Sequence, residues 1–282
     1  MKLITWNIQW CRGCDGRVDP ARIVAHARAL ADFDVLCLQE VAANFPGLDA
    51  SRGENQFEWL ARLLPGYTPV PAAAVDTPAP GGARRAFGNM ILSRLPVAQA
   101  LRIQLPWPSD PHARSMPRVL LEATVETPLG PIRVMTTHLE YYSGLQRIAQ
   151  VEAIRARHAE ACGHARVDRA LDDSDSPFRS TPQTRSAILT GDFNFRPDDP
   201  LHGRLQAPLG EGSTGLVDAW QARHPHAAHP FTNGVHDRVQ WPAPYTCDFV
   251  FVSDDLAPRL RAVRVDGDTQ ASDHQPVLVE LA

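Results

Sequence analysis

Apolar positions along this chain fall mostly into short runs closed by Gly, Pro, Asp or Asn, the pattern of strands ended by turns. Leu3–Ile8 reads as a buried strand and Asp34–Gln39 as a second. Tyr67–Ala74, Phe87–Ser93, Val97–Leu105, Val119–Glu126 and Ile132–Thr137 follow. A Pro/Gly-rich loop from Thr77 to Arg85 separates the first two of these, and Arg94-Leu95-Pro96 and Pro128-Leu129-Gly130-Pro131 mark later turns. Ala187–Thr190, Asp248–Ser253, Leu260–Val265 and Gln275–Leu281 complete the strand set. Helical spacing is confined to a few segments. Asp19 and Pro20 supply an N-cap and a first-turn proline for a helix to about Asp32. Asn55–Leu64 is a second, and Leu145–Cys162 a third, with Ile148, Val151 and Ile154 on one face. Residues 163–184 are polar, with Asp172-Asp173-Ser174-Asp175-Ser176 at their centre, and are expected to form a mobile loop. Many strands, few helices, no repeat and no linker predict one domain over residues 1–282.

The polar residues that close these runs carry the chemistry. Thr5-Trp6-Asn7, Leu38-Gln39-Glu40, Thr137-His138-Leu139, Gly191-Asp192-Phe193-Asn194 and Ser272-Asp273-His274 each sit at or beside the end of an apolar run. They supply carboxylates, amides and imidazoles, the groups that hold a hard divalent cation and a phosphate. Taken singly, Glu40 reads equally as an exposed residue after a strand, and Asp192 and Asn194 as turn formers. In extended backbone the i, i+2 spacing of Asp192 and Asn194 would point both side chains the same way. Asp248 opens an apolar strand, where it either caps that strand or fixes the tautomer of a histidine. Five such motifs in this order point to a metal-dependent phosphoesterase.

Composition narrows the partners. The chain has 282 residues, 44% hydrophobic and 21% charged, with a formal net charge of −4. That charge disfavours the broad basic surface used by nucleic-acid binders, though not a local basic cleft. Lys2 is the only lysine. No run approaches the roughly 20 apolar residues of a membrane span, and a strand-like segment begins at Leu3, so a cytoplasmic monomer is the expectation. Cys11 and Cys14 form a C-x-x-C, but Cys37, Cys162 and Cys247 supply no second pair, so incidental thiols are the better reading. His224, His226, His229 and His236 share one loop without helical spacing and read as polar loop residues.

Trp6-Asn7, Gln39-Glu40, Gly88-Asn89-Met90-Ile91-Leu92-Ser93, His138-Leu139, Gly191-Asp192-Phe193-Asn194, Asp248–Ser253 and Ser272-Asp273-His274 together resemble the endonuclease/exonuclease/phosphatase superfamily, from Leu3 to Val279. The resemblance implies an α/β fold, a four-layer α-β-β-α sandwich of the deoxyribonuclease I type, with the site at one edge of the two sheets. It implies Glu40 as the principal Mg²⁺ ligand, helped by Asn7 and Asp273, with Mn²⁺ as an alternative ion. Asp192 would align or deprotonate the attacking water, Asn194 and His138 would contact the scissile phosphate, and His274, oriented by Asp248, would stabilise or protonate it. Two departures stand out: Thr246-Cys247 replaces the Arg-Ile many members carry before the aspartate, and His138 stands where abasic-site endonucleases have tyrosine.

Substrate choice falls to the loops Val75–Arg85, Pro106–Pro117, Glu140–Gly144 and His224–Tyr245. Asn89, Arg84 and Arg118 are the substrate-binding candidates, the arginines as anion-steering groups. Trp107 and Trp241, flanked by prolines, either touch substrate or pin their loops. The substrate is thus a phosphoester, with two further readings beside the general one: a nuclease acting on DNA or RNA, and a non-catalytic binding protein on the same fold.

Overall fold

The computed structural model describes residues 1–168 and 170–282. Its strands are β1 (Lys2–Asn7), β2 (Val35–Ala43), β3 (Thr68–Pro78), β4 (Arg84–Ser93), β5 (Val97–Gln104) and β6 (Val119–Thr127). They continue as β7 (Gly130–His138), β8 (Ala187–Asp192), β9 (Leu216–Asp218), β10 (Asp248–Ser253), β11 (Leu260–Val265) and β12 (Val277–Leu281). Helices are α1 (Pro20–Leu30), α2 (Gln56–Leu63), α3 (Gly144–Arg166), α4 (Pro200–Gln206) and α5 (Ala219–Arg223).

Two six-stranded sheets form, ordered β11-β12-β1-β2-β4-β3 and β5-β6-β7-β8-β10-β9. One core lies between them, where Leu3, Val35, Cys37 and Ile91 meet Leu121, Ala123, Val134 and Ile188. α1 and α2 cover the outer face of the first sheet through Ile23, Val24 and Leu60 against Ile4, Trp6 and Leu36. α3 covers the second through Val151 and Ile154 against Leu120, Met135 and Leu189. The result is the four-layer sandwich. Each fully buried aliphatic side chain contributes about 1.5–3 kcal/mol of transfer free energy.

Parallel pairing decides where the polar strand ends go. β1 runs parallel to β2, placing Asn7 beside Gln39, and β7 runs parallel to β8, placing His138 beside Asp192. Both pairs therefore end at the same edge of the sandwich. β10 is antiparallel to β8 and opens there, with Asp248 opposite Asp192. β12 is antiparallel to β1, so Ser272-Asp273-His274, just before it, reaches the same edge.

Local outcomes differ from the sequence pattern in several places. The expected loop Thr77–Arg85 is largely hairpin: β3 runs to Pro78 and β4 begins at Arg84, leaving a turn with Gly81 and Gly82 at φ 72° and 80°. β3 is the sheet's edge, which is why it tolerates Pro69 and Pro71. Asp19 does cap α1, its carboxylate accepting from the Ala21 and Arg22 amides. α3 continues beyond Cys162 to Arg166, and Ile148 is 52% exposed instead of sharing the core face of Val151 and Ile154. Position 169 of the expected mobile loop lies outside the described residues. α4, β9 and α5 are too short to have declared themselves by periodicity.

Candidate active site

A pocket of about 500 Å³ opens at the edge where the parallel strands end, lined by Glu40, His138, Asp192, Asn194, Asp273 and His274 among others. Long-range hydrogen bonds assemble it. The Trp6 indole N–H donates to the His274 carbonyl at 2.9 Å, and Ser272 Oγ donates to the Asn7 carbonyl at 2.8 Å. These two bonds lock the C-terminal loop to the end of β1. Gln39 ties the sheets together, its amide donating to Thr5 Oγ1 at 3.1 Å and Thr136 Oγ1 at 2.8 Å.

Asn7 sits at the centre. Its Nδ2 donates to Glu40 Oε1 at 3.1 Å and to Asp192 Oδ2 at 3.0 Å, one carboxylate from each sheet. Its orientation is forced, because the Gln9 backbone N–H needs Asn7 Oδ1 as acceptor at 3.1 Å. Glu40 lies at a bulge in β2, between the Leu38 and Val41 pairings, with φ 59°. The bulge re-aims a side chain that regular pleating would send elsewhere. His138 lies between the same carboxylates, Nδ1 3.7 Å from Glu40 Oε1 and Nε2 3.5 Å from Asp192 Oδ2.

Asn194 corrects the extended-strand expectation. It has φ 52°, its backbone N–H donates to Asp192 Oδ1 at 3.0 Å, and its Nδ2 donates to the Leu139 carbonyl at 2.8 Å. The turn therefore holds the Asp192 carboxylate through its backbone and anchors its own side chain at Leu139. Gly191 permits it: φ is 139°, and a Cβ there would lie 1.9 Å from the Thr137 carbonyl oxygen.

His274 Nδ1 lies 2.8 Å from Asp248 Oδ2, and Nε2 lies 2.7 Å from the Asn233 side-chain amide and 3.7 Å from Asp192 Oδ2. Burial alone would suppress its charge, but Asp248, Asp273 and Asp192 outweigh burial and raise its pKa well above the usual imidazole range. An imidazolium donates from both nitrogens. The amide face of Asn233 that suits it is the oxygen, which otherwise has no partner. His138 is the opposite case: burial first, then the positive charges of Arg118 and His274, hold it well below the usual range and keep it neutral. Burial and then Asp273 push Glu40 up to about 7. Burial is also the largest cause for Asp192, opposed by His274, and its carboxyl rises to about 6.

The remaining predicted residues divide. Arg118 is buried, donates from Nε to Glu140 Oε2 at 3.2 Å, leaves Nη1 without a partner and lines the pocket. Arg84 is corrected: it is exposed, bound to Asp76 at 2.7 Å across the hairpin, and lines a separate groove with Asn44 and Asn55. Asn89 is buried and donates to the Val119 carbonyl at 3.0 Å, holding β4 to β6 across the sandwich and lying outside the pocket wall. Trp107 lies outside that wall, its indole held by Ser115 Oγ at 2.8 Å, whereas Trp241 lines it.

Four residues at or behind the pocket escaped sequence reasoning: Gln9, Tyr141 and Tyr142 line it, and Asn233 backs His274. Gln9 is buried and its amide donates to Asp273 Oδ2 at 3.0 Å and Gln240 Oε1 at 2.9 Å. Asn233 faces His274, and Tyr141-Tyr142 follow Glu140 at the rim. Only the nearness of Gln9 to Asn7 in sequence could have flagged it. Cys11 is buried, burial raises the pKa of both Cys11 and Cys14, and both are free thiols, so the C-x-x-C forms no bridge. The loop histidines disperse: His224 meets the Val263 carbonyl, His236 the Gly267 carbonyl, and His229 joins His202 on Asp218.

Two face-packed sheets with a carboxylate–imidazole pocket at their shared edge define a sandwich of the deoxyribonuclease I type. The chain belongs to the Endonuclease/Exonuclease/phosphatase family, whose model matches residues 4–274, and members of that family are hydrolases of phosphoester bonds. It is similar to an endonuclease/exonuclease/phosphatase from Beutenbergia cavernae, at 27% identity over 99% of this chain and 70% of that one, TM-score 0.65. A Bacteroides thetaiotaomicron mannosyl-6-phosphatase shares 17% identity over 100% and 99% of the two chains, TM-score 0.68. D. rerio TDP2 complexed with single strand DNA product shares 19% over 99% and 97%, TM-score 0.64. No curated protein matches the chain. Among the described residues no helix is long and apolar enough to cross a membrane.

Proposed function

We propose that this protein is a Mg²⁺-dependent phosphoesterase, with Mn²⁺ as an alternative ion, hydrolysing a phosphoester by in-line attack of water. The observation that carries the reading is the Asn7 amide bridging Glu40 and Asp192, with neutral His138 between the same two carboxylates.

The donor set fits a hard divalent cation. The half-buried Glu40 and the buried Asp273 present oxygen donors that no arginine or lysine neutralises among the described residues, and their mutual repulsion helps raise Glu40. Glu40 and Asp273 would hold the ion, beside Asn7, whose Oδ1 keeps a second lone pair. Bound there, a divalent cation supplies charge neutralisation at the phosphoryl oxygens.

The chain's own residues do the rest. Asp192, fixed by Asn7 and the Asn194 N–H, orients the attacking water and accepts its proton at Oδ2. His138 donates a hydrogen bond to a phosphoryl oxygen, and Asn194 offers the second N–H of its amide. His274, held as a cation by Asp248, faces the charge that develops on the phosphoryl group. Arg118 adds its unpartnered Nη1.

Hydrolysis of bis-(p-nitrophenyl) phosphate, p-nitrophenyl phosphate and supercoiled plasmid, each with Mg²⁺, Mn²⁺ or EDTA, tests this. Metal-dependent turnover lost in Glu40→Ala supports it; turnover that survives EDTA and Glu40→Ala overturns it. Nicking of plasmid in preference to both small esters would favour the nuclease reading.

A further inference from the structure

The rim of the pocket carries rings that phosphoryl transfer does not need. Tyr141 and Tyr142 are 42% and 51% exposed, yet both line the pocket together with Trp10, Trp241 and Tyr245. All but Trp10 stand in a chain of ring contacts. Tyr141 meets Tyr142 edge-on at 4.8 Å between centroids and Trp241 at 6.1 Å, and Trp241 meets Tyr245 at 5.8 Å. The Arg114 guanidinium lies over the Tyr142 ring, 4.6 Å from its centroid, and also bonds the Tyr142 hydroxyl. Scattered exposed aromatics are ordinary surface; a connected set around a pocket mouth is not.

The wall is built firmly while its two tyrosine rings stay partly exposed. Glu140 Oε1 accepts the Tyr142 backbone N–H at 2.9 Å, and Arg147 donates to the Glu140 carbonyl at 2.6 Å and the Tyr141 carbonyl at 3.0 Å. Ser143 caps α3 immediately afterwards. On the other side the Trp241 indole N–H is held by Asp273 Oδ2 at 2.9 Å. The rings are therefore tied to the same segments that carry His138 and Asp273. Tyr141 follows His138 so closely that their Cα atoms lie within about 10 Å, a span that one sugar or a short linker bridges.

Some of the polar atoms along this wall are committed to the protein itself. Gln240 Oε1 accepts from Gln9, and Ser115 Oγ accepts from Trp107 and Gln146. The exposed part of this wall is instead mainly aromatic, and ring faces and a guanidinium plane suit a flat π-system.

We propose that Tyr141, Tyr142 and Trp241, with the Arg114 guanidinium, form a stacking subsite for a flat unsaturated ring carried by the phosphoester. The substrates of this site are then nucleoside or aryl phosphates, and not sugar or polyol phosphates. This rests on the phosphoesterase reading above.

The test uses Asp192→Ala protein with Mg²⁺, so that ligands bind without turnover. Isothermal titration compares adenosine 5′-monophosphate, phenyl phosphate and ribose 5-phosphate. A ring–ring stack predicts that at least one ring-bearing ligand binds about tenfold or more tighter than ribose 5-phosphate. That advantage falls to within about twofold when Tyr141→Ala and Tyr142→Ala are combined, and survives in the paired Phe variants. Which ring-bearing ligand leads identifies the base or the aryl group as the source. Ribose 5-phosphate binding as tightly as both others, or a preference that persists in the paired Ala variants, overturns the proposal. Hydrolysis of any ligand by Asp192→Ala would instead count against the role given to Asp192, leaving the stacking result to be read separately. Thermal melts confirm that each variant is folded.

Discussion

Glu40 makes the metal-free protein's stability a function of pH, with a sign opposite to that of an ordinary salt-bridged acid. Its carboxyl is pushed from the usual value of 4.5 to about 7, first by burial and then by Asp273. Between those two values the folded state binds more protons than the unfolded one, so stability is highest below the unfolded pKa and falls as pH rises through the folded one. A displacement of this size corresponds to about 3 kcal/mol. Glu40→Gln keeps the shape, retains an oxygen acceptor for the Asn7 amide and removes the titration. In EDTA, wild type and Glu40→Gln should melt alike near pH 5, and by pH 8 the variant should lead by about 6 °C, taking about 2 °C per kcal/mol for a chain of this size. The comparison cancels the titration of His138, which acts in the opposite direction because its folded pKa is depressed. Mg²⁺ should then raise the wild-type melting temperature at pH 8 and move the variant far less. Scanning calorimetry at half-unit pH intervals, with and without metal, reads all of this. Parallel melting curves from pH 5 to 8 in EDTA would refute the reasoning, since they would mean that Glu40 ionises in the fold as easily as in water.

Asp192→Ala should lower kcat by about 10²–10⁴ while leaving the melting temperature at or above that of wild type, measured by steady-state kinetics and calorimetry. Asp248→Asn should cost about 1.5–3 kcal/mol of support for the His274 cation, and the alkaline limb of the pH–rate profile should move to lower pH. Arg84→Ala should leave kcat/KM within about twofold, whereas Arg118→Ala should raise KM about tenfold or more, because only the latter lines the pocket, where its unpartnered Nη1 can make a charge-assisted contact to substrate. We propose that residues 1–282 unfold as one unit; a single calorimetric transition, with equal van't Hoff and calorimetric enthalpies, is the expected result.

The parts of this protein that sequence made readable are those governed by local rules. Strand ends announce themselves because an apolar run must stop, and a polar residue at the stop is visible in one dimension. Parallel pairing of β1 with β2 and of β7 with β8 then gathers Asn7, Glu40, His138 and Asp192 at one edge. What stayed hidden depends on contacts between distant segments or on backbone that leaves the strand region. Arg84 looked like a steering charge until the hairpin paired it with Asp76. Asn89, in a motif of the family, faces Val119 between the sheets. Gln9 and Asn233 carry no signature, because their partners Asp273 and His274 lie far along the chain. Asn194 was expected to extend the strand, and its left-handed φ instead turns its backbone N–H onto Asp192.

That last difference belongs to a wider pattern. Among the described non-glycine residues, positive φ occurs at Gln9, Trp10, Cys11, Glu40, Asn44, Ala50 and Asn194. Gln9, Trp10, Glu40 and Asn194 all line the pocket, and Cys11 adjoins it. Each such conformation costs of order 1–3 kcal/mol and persists only where surrounding contacts over-determine it. Those contacts are present: the bulge at Glu40, the Leu139 carbonyl at Asn194, the paired acceptors of the Gln9 amide. Strain and buried carboxylate repulsion thus coincide in one place, in a body whose two sheets are otherwise regular. Regular strands alone would deliver side chains at alternating positions, too coarse a grid to set an amide and an imidazole each within 4 Å of the same two carboxylates. The off-strand turns provide the finer adjustment, and the packed sandwich holds them in it.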